Sequence, residues 1–595
     1  MSFMTKEIRK AANPKAIKNW LQRSVLGKPN IKPKRIDIDE LAGVVQTNQN
    51  RFIAYVNSNQ YHKIAGIVFV VATLNYLLWL LGHLNLANKL ISIPFFISQL
   101  FSFLLVSLSI FNHWKAKYRT NRPAMPLNPP DVAVVVATYK EPVAVLENTI
   151  KSILEIDYPG KVVVVVSNDD ERPAQRSAIE NTLVSLADYR SRIKGKVGDG
   201  KVLHLVHTTP HKDAKAGNLN QALRFLRKYY PEIDLVLTQD ADEIVYPEIL
   251  KALVGYFSEP QVGFVQTIKQ SEVTDGDPFG NDDMMWYART AACRDAAGAM
   301  FACGSGVIWR ISALESIGGF STWNLVEDLT TSYQILSHGW ESRYHYERLS
   351  YGLAPEDLPN FLKQRGTWAI DHMRLFFWDN PLKKKGLTIR QKLHFLEPQL
   401  FYLNGVAIVV LSLATSLSLV LEKWPTTVDA ITHAKYLIPS FIALEAYYLL
   451  LADSIRLTRI RQFWVGLSPT FAVATLKALI YGPNRKPKYI VTRKENEYGN
   501  YIRHVLPQLI ILSVIFMSLV KIFISTPLYS AFDWAAVFWG FYQASFFFHT
   551  IRVAWWKWNP NITISVSLPG IKSYNWKNLT QKPAMILQGI KNILF

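Results

Sequence analysis

Long apolar runs stand near both ends of the chain and enclose a central stretch in which apolar and polar residues change over in short blocks. Crossing a hydrocarbon core of about 30 Å takes roughly 20 apolar residues in a helix. Residues 64–84 and 90–111 contain no Asp, Glu, Lys or Arg and are five residues apart, which predicts a tight transmembrane hairpin. Residues 400–421 are equally free of charge, 436–452 are apolar apart from Glu445, and 505–524 with 534–550 form a third pair. Between them 463–482 is interrupted by Pro469 and Lys477 and reads as an interfacial helix. The predicted organisation is a basic segment 1–60, a hairpin 64–111, a soluble domain 113–395 ending in interfacial helices, a hairpin 400–452, an interfacial segment 454–503, a hairpin 505–550 and a tail 551–595.

The central stretch has another period. Residues 131–137, 161–166 and 234–238 are short Val- and Leu-rich runs that end in polar residues and are separated by helix-length segments. That is the pattern of a parallel α/β sheet, and such sheets bind ligands beyond the carboxyl ends of their strands.

Charge changes the picture in one respect. The net charge of +20 would suit a nucleic-acid partner, but the excess lies beside apolar runs: residues 454–503 hold ten Lys or Arg, against two in 422–435 and none in 525–533. The inside-positive bias then explains the charge without nucleic acid. It places the N-terminus, the domain 113–395 and the C-terminus in the cytoplasm. Only Cys293 and Cys303 occur, so no disulfide framework or cysteine metal site is expected. Ten Lys or Arg among residues 1–37, with no apolar core before a small-residue cleavage site, do not make a secretory signal.

Carboxylates gather where the strands end. The first run leads into Thr138-Tyr139-Lys140-Glu141-Pro142, the second into Asn168-Asp169-Asp170, the third into Asp240-Ala241-Asp242. Two Asp one residue apart on an extended segment face the same side and can share one hard cation with a diphosphate, which suits Mg²⁺ or Mn²⁺. An isolated Asp-x-Asp is ordinarily a polar turn; its place after a buried-type strand is what makes it a candidate. Glu327-Asp328 follows the glycines 318 and 319. Inverting sugar transfer needs a carboxylate to take the acceptor's proton, and Asp328 is the candidate base. His207 and His211 lack a metal-ligand partner set and read as loop residues. Glu445 either lines a polar path or reaches the interface.

Taken in order, these elements resemble the processive inverting family 2 β-glycosyltransferases that include bacterial cellulose and curdlan synthases. The matching residues add Lys215-Ala216-Gly217-Asn218-Leu219-Asn220, Phe301-Ala302-Cys303-Gly304-Ser305, Gln364-Arg365-Gly366-Thr367-Trp368 and Tyr489-Ile490-Val491-Thr492-Arg493-Lys494. The resemblance implies a GT-A-like, Rossmann-type mixed sheet inserted between transmembrane helices, polymerising glucose from UDP-glucose into a β-glucan and passing it through the membrane. It implies donor contacts from Thr138, Tyr139, Glu141, Asp169, Asp170, Lys215, Asp240, Gln364, Arg365, Thr492 and Lys494. Acceptor contacts would come from Cys303, Gly304, Ser305, Glu327 and Trp368, and metal ligands from Asp240 and Asp242. Nascent polysaccharide and membrane lipids are the implied partners, and a homo-oligomer is compatible with them.

Departures from the family pattern are informative. Thr367 stands where the family carries an Arg, so either Arg365 substitutes or the donor is gripped otherwise. Glu243 follows Asp242 where cellulose synthases often have His, and Lys140 replaces a common Asn. The tail is too short for a cyclic-di-GMP-binding barrel. Synthases of amino-sugar polymers such as chitin or hyaluronan, and non-processive lipid glycosyltransferases, are the neighbouring alternatives. A transporter would leave the carboxylate set without a task.

Overall fold

The computed structural model describes residues 60–193, 200–208, 211–272, 279–281, 283–355, 357–452, 457–485, 487, 499–525 and 531–555. Two compact units are present. The small one includes residues 499–502 and 554–555, in which the Tyr501 N–H donates to the Ala554 carbonyl at 2.9 Å. The large one contains the sheet and the apolar helices.

The strands are β1 (Val132–Thr138), β2 (Val162–Asn168), β3 (Lys201–His207), β4 (Leu235–Asp240), β5 (Glu243–Val245), β6 (Val262–Glu272), β7 (Val307–Arg310) and β8 (Glu341–Leu353). They form one sheet in the order β3-β2-β1-β4-β7-β6-β8-β5. The helices of ten or more residues are α1 (Tyr61–Gly82), α2 (Lys89–Asn112), α3 (Val143–Leu154), α4 (Pro173–Ile193), α5 (Ala214–Tyr229), α6 (Glu327–Ser337), α7 (Leu358–Trp378), α8 (Ile389–Leu421), α9 (Ala430–Ala452), α10 (Leu457–Gly466), α11 (Ser468–Tyr481), α12 (Leu506–Ser525) and α13 (Ala531–Arg552).

β1 and β2 are rich in Val because both faces of the sheet are covered. Val132, Val134 and Val136 enter one core with Ile150 and Ile153 of α3. Ala133 and Val135 enter the other with Leu219 and Leu223 of α5. β1 pairs in parallel with β2 on one side and with β4 on the other. The chain therefore reverses its direction of travel across the sheet at β1, which opens a crevice at the carboxyl ends of β1 and β4. The parallel arrangement expected from the sequence holds for β3-β2-β1-β4; beyond β4 the sheet is mixed, because β7 runs antiparallel to both β4 and β6. The segment Phe301–Ser305 approaches β7 across the exit of β4, where Ser305 Oγ accepts the Asp240 N–H at 3.0 Å.

The chain is a membrane protein. Among the described residues, five helices are long and apolar enough to cross a bilayer: Tyr61–Gly82, Leu86–Asn112, Ile389–Leu421, Ile431–Ala452 and Ile502–Ile524. Apolar side chains such as Ile64 (59% exposed) and Leu78 (64%) point outward from these helices. The sixth apolar run also lies in a helix, α13, but it falls outside those five. Residues 463–482 form parts of α10 and α11. At 1.5 Å per residue the 14-residue α11 rises only about 21 Å, less than a hydrocarbon core.

α8 starts eleven residues before the apolar run at 400, because Thr388 and Gln391 close a capping box around its first turn. Its polar first turns dock on the sheet domain: Arg294 Nη1 donates to the His394 carbonyl at 2.6 Å and Gln391 Nε2 to the Gly298 carbonyl at 2.8 Å. One helix thus joins the soluble domain to the membrane. Glu445, within α9, is neither alone nor at a free edge. Arg461 of α10 grips it with two hydrogen bonds of 2.6 and 2.7 Å.

Candidate functional site

The crevice is built from short segments, each held by a local device. At the exit of β1, Thr138 is buried and Lys140 adopts a left-handed φ of 60°. Tyr139 stacks on His211, with ring centroids 3.9 Å apart and planes at 6°. His211 Nδ1 also contacts Asp169, which is wholly buried. Burial pushes the Asp169 carboxyl above its usual range, against the opposing pull of His211. Asp170 is turned to Arg172, whose Nε lies 3.0 Å from both carboxylate oxygens. Glu141 offers its carbonyl to Gln175 at 2.7 Å.

The Lys215–Asn220 segment opens α5. Gly217 is obligatory there, because a Cβ would run into the carbonyl of Lys212, where the preceding loop doubles back. Asn218 ties the ends of two strands together, donating to the Thr138 carbonyl at 3.2 Å, the Ser167 carbonyl at 2.9 Å and Asp169 Oδ1 at 3.3 Å. Asn220 exchanges two hydrogen bonds of 2.8 Å with the backbone of Phe320. This anchoring aims Lys215 into the crevice. Its ammonium sits 2.5 Å from Asp240 Oδ1, 3.1 Å from Glu327 Oε1 and 3.0 Å from the Gly304 carbonyl. Burial alone would lower its pKa, but the Asp240 and Glu327 charges outweigh that and hold it well above the ordinary lysine value.

Asp328 lies beside this cluster. α6 begins at Glu327, so both carboxylates stand in its first turn, where a helix favours negative charge. Asp328 Oδ1 accepts the Leu329 N–H at 2.7 Å. Gly304, at φ 83°, lies against the other oxygen: a Cβ there would sit 2.9 Å from Asp328 Oδ2 and 3.3 Å from Lys215 Nζ. Burial, and next the Glu327 charge, push the Asp328 carboxyl up to about 7, with Lys215 pulling the other way. Cys303 is held by its N–H to Gln266 Oε1 at 2.8 Å, and burial raises its thiol to about 12. A thiol kept protonated is no nucleophile.

The oxygens of Asp240 face a lysine on either side. Lys269 Nζ of β6 is 3.6 Å from Asp240 Oδ2 and is also paired with the buried Glu243. Two ammonium groups thus stand where a cation would be attracted, and the hard carboxylate oxygens of Asp240 and Asp242 fit Mg²⁺ or Mn²⁺ if diphosphate and water complete the shell. No cage of three or more His, Cys, Asp or Glu exists among the described residues. A cation at Asp240 and Asp242 would therefore depend on the donor for part of its coordination.

On α7, Gln364, Thr367 and Trp368 are half-buried. Arg365 is buried and turned toward Asn281 (3.3 Å) and Asp283 (3.2 Å), with its guanidinium 4.4 Å from the Trp368 ring and 5.0 Å from the Trp464 ring. None of its hydrogen bonds reaches Lys215 or Asp240. Thr492 and Lys494 lie outside the described residues. Sequence reasoning passed over two residues that the fold brings in. Lys269 follows no motif, and His211, read as a loop residue, packs face to face with Tyr139; neither is marked by spacing, since each acts on residues about 30 to 70 positions away in the chain.

Residues 129–370 match the family described as Glycosyltransferase like family 2. Cellulose synthase 1 of Komagataeibacter xylinus is 29% identical over 352 residues, 57% of this chain and 21% of its own length. The cellulose synthase catalytic subunit (UDP-forming) of Xanthomonas axonopodis pv. citri is 27% identical over 330 residues, covering 53% of this chain and 41% of its own. The chain thus spans less than half the length of these relatives. Among solved structures, a mannosyltransferase from Pyrobaculum calidifontis aligns over 65% of this chain and 99% of its own at 19% identity, with a TM-score of 0.46, too remote to carry weight.

Proposed function

We propose that this chain, whose residues 129–370 match a family 2 glycosyltransferase and which resembles cellulose synthases over the same region, polymerises glucose from UDP-glucose into a β-glucan with inversion and passes the product through its own helices. One observation carries the reading: Asp328, Glu327, Lys215 and Asp240 form a single connected cluster at the exit of β4, with Gly304 leaving room beside the base. Proton acceptor and diphosphate grip are then within one crevice.

Asp328 takes the proton from an acceptor hydroxyl as that oxygen bonds to the anomeric carbon. The bond from that carbon to the UDP oxygen breaks, and UDP leaves with the electron pair. Lys215 offers its ammonium to the diphosphate, and Asp240 and Asp242 would hold the divalent cation, which supplies charge neutralisation on the leaving group. Asp169 and the Tyr139–His211 stack border the nucleoside end, and Trp368 offers an indole face to the terminal sugar. Trp464, Phe401 and Tyr402 continue the aromatic surface toward α8, which supports a product path into the membrane. The catalytic domain faces the cytoplasm, where UDP-sugars are made, in keeping with the basic loops beside it.

The test is UDP release by the purified full-length protein with a panel of UDP-sugars, followed by digestion of the product with β-1,4- and β-1,3-specific glucanases. No release with UDP-glucose, or release with UDP-N-acetylglucosamine alone, overturns the glucose reading. Chelation by EDTA is expected to stop transfer and Mg²⁺ or Mn²⁺ to restore it; full activity in EDTA contradicts a cation at Asp240 and Asp242.

A pH profile gives an independent check. A general base works ionised, so transfer is expected to rise with pH through about 7 and level off above it. Glu327 raises the Asp328 pKa, so Glu327→Gln is expected to move the midpoint to lower pH. A midpoint that stays put in the variant contradicts the assignment.

A further inference from the structure

The helix that presents Glu327 and Asp328 has no cap of its own. Val326 stands at its N-cap position, and no side-chain hydrogen bond from that residue closes the first turn. A carboxylate arrives instead from another helix. Asp371, fully buried on α7, accepts the Val326 N–H at 2.6 Å. The Asp371 carbonyl accepts Asn324 Nδ2 at 3.2 Å, and Asn324 Oδ1 accepts Arg374 Nε at 2.9 Å. Arg374 also reaches the Trp323 carbonyl at 3.3 Å and the Gly482 carbonyl at 3.2 Å. The loop before the base is thereby fastened to α7 at neighbouring turns. Trp368 lies on that same helix, three residues before Asp371, one turn away.

We propose that Asp371 is a positioning residue for glycosyl transfer: by capping α6 from α7, it sets the base Asp328 against the indole of Trp368 that holds the acceptor. The inference rests on the roles of Asp328 and Trp368 proposed above. A carboxylate suits the place twice over, as the acceptor for an orphan N–H and as a negative charge at the positive end of α6. Burial pushes the Asp371 carboxyl up to about 7, with the Val326 N–H and next the Arg374 charge pulling the other way. In this reading Asp371 meets neither donor nor acceptor, so its removal acts through the placement of α6. Misplacing a reacting group by about 1 Å costs on the order of 10² in rate.

Asp371→Ala, assayed in the full-length protein with UDP-glucose, is expected to lower polymer formation about 10- to 100-fold while UDP affinity stays within about twofold of the parent. Because donor activation persists, the ratio of glucose released to glucose polymerised rises. Asp371→Asn keeps an oxygen that can accept the Val326 N–H, and is expected to recover part of the polymer rate while still showing a ratio above the parent's. Parent-like polymer formation by Asp371→Ala overturns the inference. So does a loss, at a parent-like folded fraction, in which hydrolysis, UDP binding and polymer all fall together. If the Ala variant does not fold, an Asn variant with the parent's ratio overturns it. A parent enzyme that forms no polymer would overturn the functional reading instead, and this inference with it.

Discussion

Asp328→Asn is expected to abolish glycosyl transfer, with a loss of about 10²–10⁴ in rate, while UDP-sugar affinity stays close to the parent's. The amide cannot take a proton from the acceptor, yet it has nearly the shape of the carboxylate and its oxygen can still accept the Leu329 N–H at 2.7 Å. The turn that holds it is therefore preserved. Asn also removes one negative charge from a cluster in which Glu327, Asp240 and Asp328 share Lys215. That change favours donor phosphate, so weaker donor binding is not expected. Single-turnover transfer and UDP binding, measured on the same preparation, separate the two effects. Parent-like transfer, or lost UDP affinity, would show that Asp328 is not the base.

Lys215→Met is expected to fail in the opposite sense, by losing the donor first. The ammonium donates to Asp240 and faces Glu327 in a half-buried site, and a hydrogen bond between charged groups contributes about 1.5–3 kcal/mol. A diphosphate that takes over this partner would lose a similar amount, so UDP affinity is expected to fall about 10- to 100-fold. Methionine has nearly the volume of the lysine stem but leaves Asp240 and Glu327 without their shared counter-charge, which adds repulsion to any incoming phosphate. A second signature accompanies the first: Lys215 lowers the Asp328 pKa, so the variant's residual activity is expected to require higher pH. Calorimetric titration with UDP checks the affinity, and an unchanged dissociation constant would remove Lys215 from the donor site.

The two substitutions exploit a cluster whose members were legible in different degrees. Asp240, Asp242 and Asp328 stand out in the sequence because they follow buried-type runs or glycines, where a carboxylate has no packing reason to be. Lys215 and Gly304 came only with the resemblance. The structure supplies their physical reasons: Gly217 lets a loop double back beneath Lys215, and Gly304 gives a Cβ-sized space to Asp328. Arg365 is the instructive case. Two residues before the missing family Arg at 367, it packs between Trp368 and Trp464 and bonds Asn281 and Asp283. The lysine at the other side of Asp240 is Lys269, from a strand with no marked motif.

By itself the sequence determined the five membrane-length helices and three of the parallel strands, β1, β2 and β4, because both depend on local periodicity: twenty apolar residues span a bilayer, and a run of Val buried on two faces makes a central strand. It also placed carboxylates at strand exits, since strand polarity fixes which end faces the crevice. Only the tertiary structure decided the rest. β7 runs antiparallel to β4 and β6, with Ser305 bonded to the end of β4, α8 extends into the soluble domain from a capping box that starts it early, and Glu445 is neutralised by Arg461 on another helix. Asp371 likewise caps α6 from a helix 45 residues further along. Each of these is a contact between segments distant in the chain, formed by side chains whose partners are defined by packing and leave no periodic trace.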